Sequence, residues 1–296
     1  MSAQGKSEAV ATLRRHGLLR VPVHVFDEAR RVSAGELEQL FGEATRLVAR
    51  GASTYEERNL PRLIGATPGE VHAWARRLPA HLSLVIQPYE HVSCSVELAV
   101  YTDRTVAELV PGIWELDNRL TPLVLHLYPE RSAIDAPESG LQPARFHSPA
   151  IGHYEQSTRV DDWQLATVAQ WIREHRSALD ALCQQHGGPF GMKLQYSSRY
   201  GLSPQNLRST VPALSAWDAP TEAPPLNTIV STAVDIPPGP LLLDVSVARE
   251  EHQHLSEFVE RLTRSGTREV YLASGLLSHL AINLREAGLT VRGAHG

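Results

Sequence analysis

The run Ser278–Gly288 near the C-terminus, SHLAINLREAG in one-letter code, contains the residues with the clearest chemical potential. It follows a predicted strand at 269–272 and a short turn that contains Gly275. Alanine, leucine, arginine and glutamate favour a helix, and Gly288 ends it. The sequence therefore predicts His279 near a helix N-terminus, where free backbone amides attract phosphate. An imidazole there could act as a phosphoryl nucleophile, because imidazoles titrate near neutrality.

The same pattern also fits an ordinary strand, turn and helix in which the histidine only caps the helix. A longer sequence match helps to choose between a phosphoryl nucleophile and a histidine that only caps the helix. The run resembles the phosphohistidine domain of the phosphoenolpyruvate-utilising, pyruvate phosphate dikinase-like family, whose pattern is Ser-His-x-Ala-Ile-x-x-Arg-Glu-x-Gly. The resemblance implies catalytic roles for His279 and Arg285. The chain departs from the family in having only Gly275 in the preceding turn and Leu289-Thr290-Val291 after the motif.

The first two thirds of the chain resemble the ATP-grasp nucleotide-binding domain of the same family. Four segments carry this resemblance: 5–6, 48–53, 85–87 and 107–112. It implies that ATP contacts five residues, which are Lys6, Arg50, Gln87, Glu108 and Arg208. Cationic side chains at the ends of strands or helices are also suited on chemical grounds to neutralise a triphosphate.

The expected Mg²⁺ site shows the largest departure from that pattern. Lys193 stands where the family has an acidic residue, and the following Gln-Arg spacing, Gln205 to Arg208, is one residue longer. Two outcomes stay open: Gln205 and Asn206 take over part of the metal shell, or metal binding is weakened or lost.

Hydrophobic periodicity places these residues on predicted elements. Helices are predicted at 7–16, 33–45, from 67, at 161–185, 249–265 and 278–287; strands are predicted at 21–26, 46–50, 82–88, 94–102, 105–110, 122–127, 241–245 and 269–272. The predicted fold class is α+β or α/β. It comprises a two-lobed ATP-grasp-like domain at 1–213, a proline-rich linker at 214–226 and a small swivelling β/α phosphohistidine-like domain at 227–296.

Some prominent side chains have simpler interpretations. Glu97 alternates along its strand and is expected on a solvated face. Trp163 and Trp171 are expected in the core, and His252 and His254 on the exposed face of a helix.

Composition narrows the class of protein. The chain has 296 residues, 42% of them hydrophobic and 21% charged, which is ordinary for a globular protein. A net charge of −5 argues against a general nucleic-acid binder. No apolar stretch approaches the roughly 20 residues of a membrane helix, and no signal core opens the chain. Two distant cysteines suggest reduced thiols in the cytoplasm.

These features predict an ATP-dependent phosphotransferase of the dikinase type that passes a phosphoryl group through His279 to an unidentified acceptor. The acceptor would bind at 129–160, between the domains or on a partner protein. Two alternatives remain open. One is an ATP-grasp ligase that joins a carboxylate to an amine and needs no histidine. The other is a degenerate nucleotide- or partner-binding protein, suggested by Lys193.

Overall fold

The computed structural model describes residues 5–42, 44–53, 60–112, 122–128, 132–135, 145–148, 152–155, 160–208, 210–217, 227–248 and 252–294. Helices and strands are both abundant in these ranges, so the fold is mixed α and β. None of the helices in this part of the chain combines the length and apolar character that crossing a membrane needs.

The helices are α1 (Lys6–Arg15), α2 (Ala34–Phe41), α3 (Pro68–Ala75), α4 (Asp162–Glu174), α5 (Arg176–His186), α6 (Val245–Ala248), α7 (His252–Arg264) and α8 (His279–Glu286). The strands are β1 (His24–Phe26), β2 (Leu47–Ala52), β3 (Arg62–Ala66), β4 (Ser83–Pro88), β5 (Val92–Val100), β6 (Thr105–Pro111), β7 (Leu123–Leu127), β8 (Ser132–Asp135), β9 (Arg145–Ser148), β10 (Gly152–Glu155), β11 (Phe190–Ser197), β12 (Gly201–Arg208), β13 (Asn227–Ile229), β14 (Leu241–Leu243), β15 (Glu269–Leu272) and β16 (Thr290–Gly293).

The first sheet is antiparallel, with the strand order β1-β4-β2-β3. Alternation along β2 turns Leu47 and Ala49 toward α2 and α3, where both are fully buried. Arg50 therefore points from the opposite face. Helix α3 begins at a capping box in which Thr67 and Glu70 exchange hydrogen bonds, with Pro68 in the first turn.

The second sheet is also antiparallel and has six strands in the order β12-β11-β5-β6-β7-β8. One face packs on α4 and α5 in a core that includes Val96, Leu98, Leu109 and Met192. The pairing of β11 with β12 shifts by one residue between Lys193 and Leu194, so Gln205 is the extra residue of a β-bulge. Strands β9 and β10 form a separate two-stranded sheet.

The C-terminal unit is a four-stranded parallel sheet, β13-β14-β15-β16, whose core includes residues of α7 and α8. Within the segment predicted as a linker, residues 214–216 form a 3-10 turn and Ala216 belongs to this core. The Trp217 indole donates to the hydroxyl of Tyr101 on the six-stranded side. Residues 218–226 of that segment lie outside the described residues.

The longest predicted helix is interrupted in the structure. The single helix expected at 161–185 is two helices, α4 and α5, that meet at His175. The imidazole of His175 stacks on Trp171, with ring centroids 4.4 Å apart, and its Nδ1 lies 2.8 Å from the Trp171 carbonyl oxygen. A side chain that competes for a backbone carbonyl disturbs helical continuation, which explains the break.

The C-terminal unit contacts the outer face of the six-stranded sheet through the turn at 275–278. Leu277 is buried among Ala99, Val106 and Val124 of that sheet. A Cβ atom at Gly275 would lie 2.3 Å from Oε2 of Glu108, which no real Cβ tolerates. This turn therefore needs glycine for close approach rather than for its backbone angles.

We predict that Gly275→Ala lowers the free energy of unfolding by about 1–3 kcal/mol, because the added methyl collides with a buried carboxylate. Gly35→Ala is the matched control: the glycine lies in α2 with nothing within 4 Å of the added atom. Its effect should stay within about 1 kcal/mol. Urea unfolding of both variants measures the difference, and equal stabilities would contradict the contact.

Candidate functional site

A row of polar side chains crosses the outer face of the six-stranded sheet. Lys193 pairs in register with Asn206 on one side and with Glu97 on the other, and Glu97 pairs with Glu108. We call these four residues the polar row. Side chains directly opposite on neighbouring strands share a face, so the register brings together residues far apart in sequence.

The centre of the polar row is buried and held by ion pairs. Glu97 is 6% exposed, contrary to the solvated position expected from its sequence pattern. Its Oε1 lies 3.5 Å from Nζ of Lys193 and 3.0 Å from Nη2 of Arg208. Burial, opposed by Glu97 and reinforced by Arg208, lowers the pKa of Lys193 to about 8. Keeping the Lys193 ammonium charged in this buried position therefore costs desolvation free energy.

The four-stranded antiparallel sheet and helix α1 supply a second set of cations at the same place. Arg50 donates to Oε1 of Gln87 at 3.0 Å and to the backbone oxygen of Gln205 at 3.3 Å, which joins the two sheets. Burial lowers the pKa of Arg50 to about 10. Lys6 donates to the backbone oxygen of Gly51 at 3.0 Å. Burial, then Arg50 and Arg62, lower the pKa of Lys6 to about 8.

The cations form a continuous group between the sheets. Arg50 repels both Lys6 and Lys193, and Arg208 repels both Lys193 and Arg285. Glu97 acts electrostatically on Lys193, and Glu108 and Glu286 act on Arg285. Glu286 is exposed on α8. Several cationic side chains thus come together where the two sheets meet.

The C-terminal unit closes one end of this group. The Glu108 carboxylate accepts the backbone N–H groups of Leu276 and Leu277, the latter at 3.0 Å. Arg208 donates to the Leu277 oxygen at 2.6 Å and Arg285 to the Leu276 oxygen at 2.7 Å. Burial raises the pKa of Glu108 to about 7, although the two backbone hydrogen bonds oppose the shift.

His279 is the first residue of α8, and the Ser278 hydroxyl caps that helix by accepting the Ala281 N–H. The position of the histidine side chain is outside the described residues. The free amides at the N-terminus of this helix were expected to attract phosphate. Just before the helix, the amides of Leu276 and Leu277 bind the Glu108 carboxylate. The turn that leads into α8 therefore already has a negative partner within the protein.

The described residues of the site fit Mg²⁺ poorly. The Asn206 side-chain oxygen accepts the Leu207 N–H, and the Gln205 amide nitrogen lies 3.5 Å from the Ser203 oxygen. The nearby carboxylate of Glu97 is already neutralised by two cations. Mg²⁺ requires several oxygen ligands in near-octahedral geometry. Among the described residues, no group of three or more His, Cys, Asp or Glu side chains could hold a metal ion.

The structure thus brings Arg50, Gln87 and Gln205 into direct contact and places Lys6 beside them. Arg208, Glu108 and Arg285 meet at the turn before α8. Sequence reasoning missed Glu97 as the residue that links Lys193 to Arg208. The available signal was its position opposite Glu108 in the predicted hairpin of β5 and β6.

Comparison with known proteins was made by sequence and by structure. No protein-family model matches the chain, and neither does any curated protein. Among solved structures, N5-carboxyaminoimidazole ribonucleotide synthetase from Thermotoga maritima is 10% identical over 72% of this chain and 43% of that chain, with a TM-score of 0.39. D-alanine-D-alanine ligase from Coxiella burnetii is 10% identical over 69% and 46%, with a TM-score of 0.38. The ATP-grasp ligase PsnB, complexed with a minimal precursor, is 12% identical over 69% and 51%, with a TM-score of 0.33. The chain spans about half the length of each of these proteins.

These findings correct the family assignment. The similar structures named here are ligases, not phosphoenolpyruvate-utilising enzymes, and no model of that family matches. The prediction of a pyruvate phosphate dikinase-like protein is therefore wrong. The prediction of a dikinase-type phosphotransferase acting through His279 is wrong with it. The physical reason is that the turn leading into α8 packs against the protein's own buried Glu108 carboxylate and is not open to a phosphate.

We predict that Glu108 makes stability depend on pH. Its pKa is about 7 when folded against an ordinary value of 4.5, so between these values the folded protein binds more protons than the unfolded chain. The free energy of unfolding should then fall as pH rises from 4.5 to 7, by at most about 3 kcal/mol from this group. Glu108→Gln removes the titration. Urea unfolding at pH 5, 6, 7 and 8 should show the variant with the flatter profile; parallel profiles would contradict the assignment.

Proposed function

We propose that this chain binds ATP between the two antiparallel sheets, in the manner of an ATP-grasp protein, and uses it to activate a carboxylate for joining to an amine. The observation that carries the proposal is the convergence of four cations on one place: Lys6 from α1, Arg50 from the four-stranded antiparallel sheet, and Lys193 and Arg208 from the six-stranded sheet.

A polyanion is the ligand that this arrangement suits. Buried cations are costly unless an anion offsets them, and the lowered pKa values of Lys6 and Lys193 reflect that cost. A triphosphate presents several negative charges along a short chain of atoms. Ammonium and guanidinium groups both donate charge-assisted hydrogen bonds to phosphate oxygens. Binding would therefore remove an electrostatic penalty that the unliganded chain carries.

Carboxylate activation suits the same cations. In this reaction a carboxylate oxygen attacks the γ-phosphorus, the bond to the ADP oxygen breaks, and an acyl phosphate forms. The amine then attacks the acyl carbon, loses a proton and displaces phosphate. Positive groups stabilise the charge that spreads over the transferring phosphoryl oxygens. No histidine nucleophile takes part, so occupation of the turn before α8 by Glu108 does not block this chemistry.

A second candidate is a nucleotide-binding protein without ligase activity. The specific observation in its favour is the double pairing of Glu97 with Lys193 and Arg208, which leaves the described residues poorly suited to Mg²⁺. The two candidates share the nucleotide site and differ in turnover. ADP release in the presence of mixed carboxylic acids and amines supports the ligase, and tight binding without release supports the second candidate.

We also propose which partners the chain binds and where in the cell it acts. The partners are ATP and small carboxylate and amine substrates, or a protein that carries one of those groups. A cytoplasmic location, where ATP is abundant and the buried free thiols of Cys94 and Cys183 stay reduced, belongs to the same proposal.

We predict that Lys6→Met and Arg50→Met each weaken ATP binding by at least about tenfold, because each removes a charge-assisted hydrogen bond to phosphate. Arg264→Met is the matched control, since Arg264 lies exposed on α7 and pairs there with Glu260. Isothermal titration calorimetry gives the affinities, and thermal unfolding verifies that each variant is folded. Unchanged affinity in both folded variants would refute the site.

We also predict that ATP affinity falls with rising pH. The Lys6 pKa is about 8 in the free protein, and a bound polyanion raises it, so binding takes up protons near that pH. Affinity should fall about tenfold between pH 7 and 9 for one such group. Lys6→Met should show a smaller fall. Titrations in buffers of different ionisation enthalpy detect the uptake directly, and zero uptake at pH 8.5 would argue against Lys6 as a phosphate ligand.

A further inference from the structure

We propose that the nucleotide binds at this site without Mg²⁺, and that Lys193 and Arg208 neutralise its phosphates in place of the metal. The inference rests on the proposed nucleotide site and concerns how that site handles charge. It follows from the donor set on the outer face of the six-stranded sheet.

The carboxylate in the polar row beside Lys193 is already engaged. Glu97 lies 3.0 Å from Arg208 and 3.5 Å from Lys193 through the same oxygen, and its side chain is buried. For Glu97 to ligate Mg²⁺, the dication would have to enter beside two buried cations that already contact this carboxylate. Like charges at such distances repel strongly where water is scarce. Two positive charges therefore already stand beside the carboxylate that would attract a metal.

Among the residues that the structure describes, the other oxygen donors near Glu97 do not compensate. The Asn206 side-chain oxygen accepts the Leu207 N–H, and the Gln205 backbone oxygen accepts Arg50. Amide oxygens alone carry no net charge to balance a dication. Glu108, the other carboxylate of the polar row, binds two backbone amides of the C-terminal unit. Its raised pKa also favours the neutral form, which binds metal weakly.

The same cations are placed to serve the phosphates directly. A guanidinium offers several N–H donors in a fixed plane, and an ammonium offers three that can rotate. Arg208 spends one donor on Glu97 and one on the Leu277 backbone oxygen. A phosphate oxygen is a stronger acceptor than a carbonyl, so it can replace Leu277 at that donor. Lys6 at the start of α1 and Arg50 on the facing sheet lie on the other side of the site, so positive charge would surround a bound polyanion.

The experiment compares the affinity of purified full-length chain for AMPPNP in excess EDTA and in excess Mg²⁺, measured by calorimetry. We expect dissociation constants within about threefold of each other. Loss of at least about tenfold in EDTA, with binding intact in Mg²⁺, overturns this inference but leaves the proposed nucleotide site standing. Absence of binding in both buffers overturns both.

Two variants test the residues. Lys193→Met should weaken AMPPNP binding in EDTA by about tenfold or more, because a phosphate contact is lost. Lys193→Glu places a second carboxylate opposite Glu97 and should make binding Mg²⁺-dependent.

Arg264→Met serves again as the surface control, and circular dichroism with thermal unfolding verifies folding. A folded Lys193→Met chain that binds as tightly as the natural sequence in EDTA overturns the role of Lys193. Should Lys193→Met unfold, the EDTA comparison on the natural sequence still decides the inference.

Discussion

Burial of charge on the outer face of the six-stranded sheet is the constraint on which the rest of the structure depends. One face of that sheet is apolar and packs on α4 and α5, while the other carries the polar row. Charged groups leave water only when partners replace the lost hydration. The four-stranded antiparallel sheet supplies Arg50 at one end, and the C-terminal unit supplies two backbone amides to Glu108 and one backbone carbonyl to Arg208 at the other. The contacts that join the three parts are therefore the same contacts that pair the buried charged groups.

Local sequence signals predicted much of the secondary structure. The helices that begin near residues 33, 67 and 278 and the hairpin of β5 and β6 were predicted, because each is organised by groups only a few residues apart. The break at His175 was missed because it depends on a side chain that bonds a carbonyl four residues earlier. Strands β11 and β12 carry the other half of the site. Their register could not be predicted from their own residues, because it is set by pairing with β5, which is far away in sequence.

The candidate site shows the limit of motif matching more sharply. The run around His279 has the residue types of a phosphate-attracting helix start, and α8 does begin there. What the turn binds is decided by Glu108, a residue on β6 that is far away in sequence. Likewise, Glu97 looked like a solvated strand residue because only its own strand was considered. Lys193 and Arg208, which make its burial tolerable, come from the last two strands of the same sheet.

The β-bulge at Gln205 shifts the register of β12 by one residue, so each later side chain lies on the opposite face of the sheet. Beyond it, Leu207 faces Met192 in the core, and Arg208 stands opposite Gly191 on the charged face. Pairing that continued in the earlier register would place Arg208 opposite Phe190, within the apolar core, and would turn Leu207 outward. A single unpaired residue therefore sets which side of the sheet receives the guanidinium. Changes in chain length on β12 would alter the electrostatics of the cleft before they altered its shape.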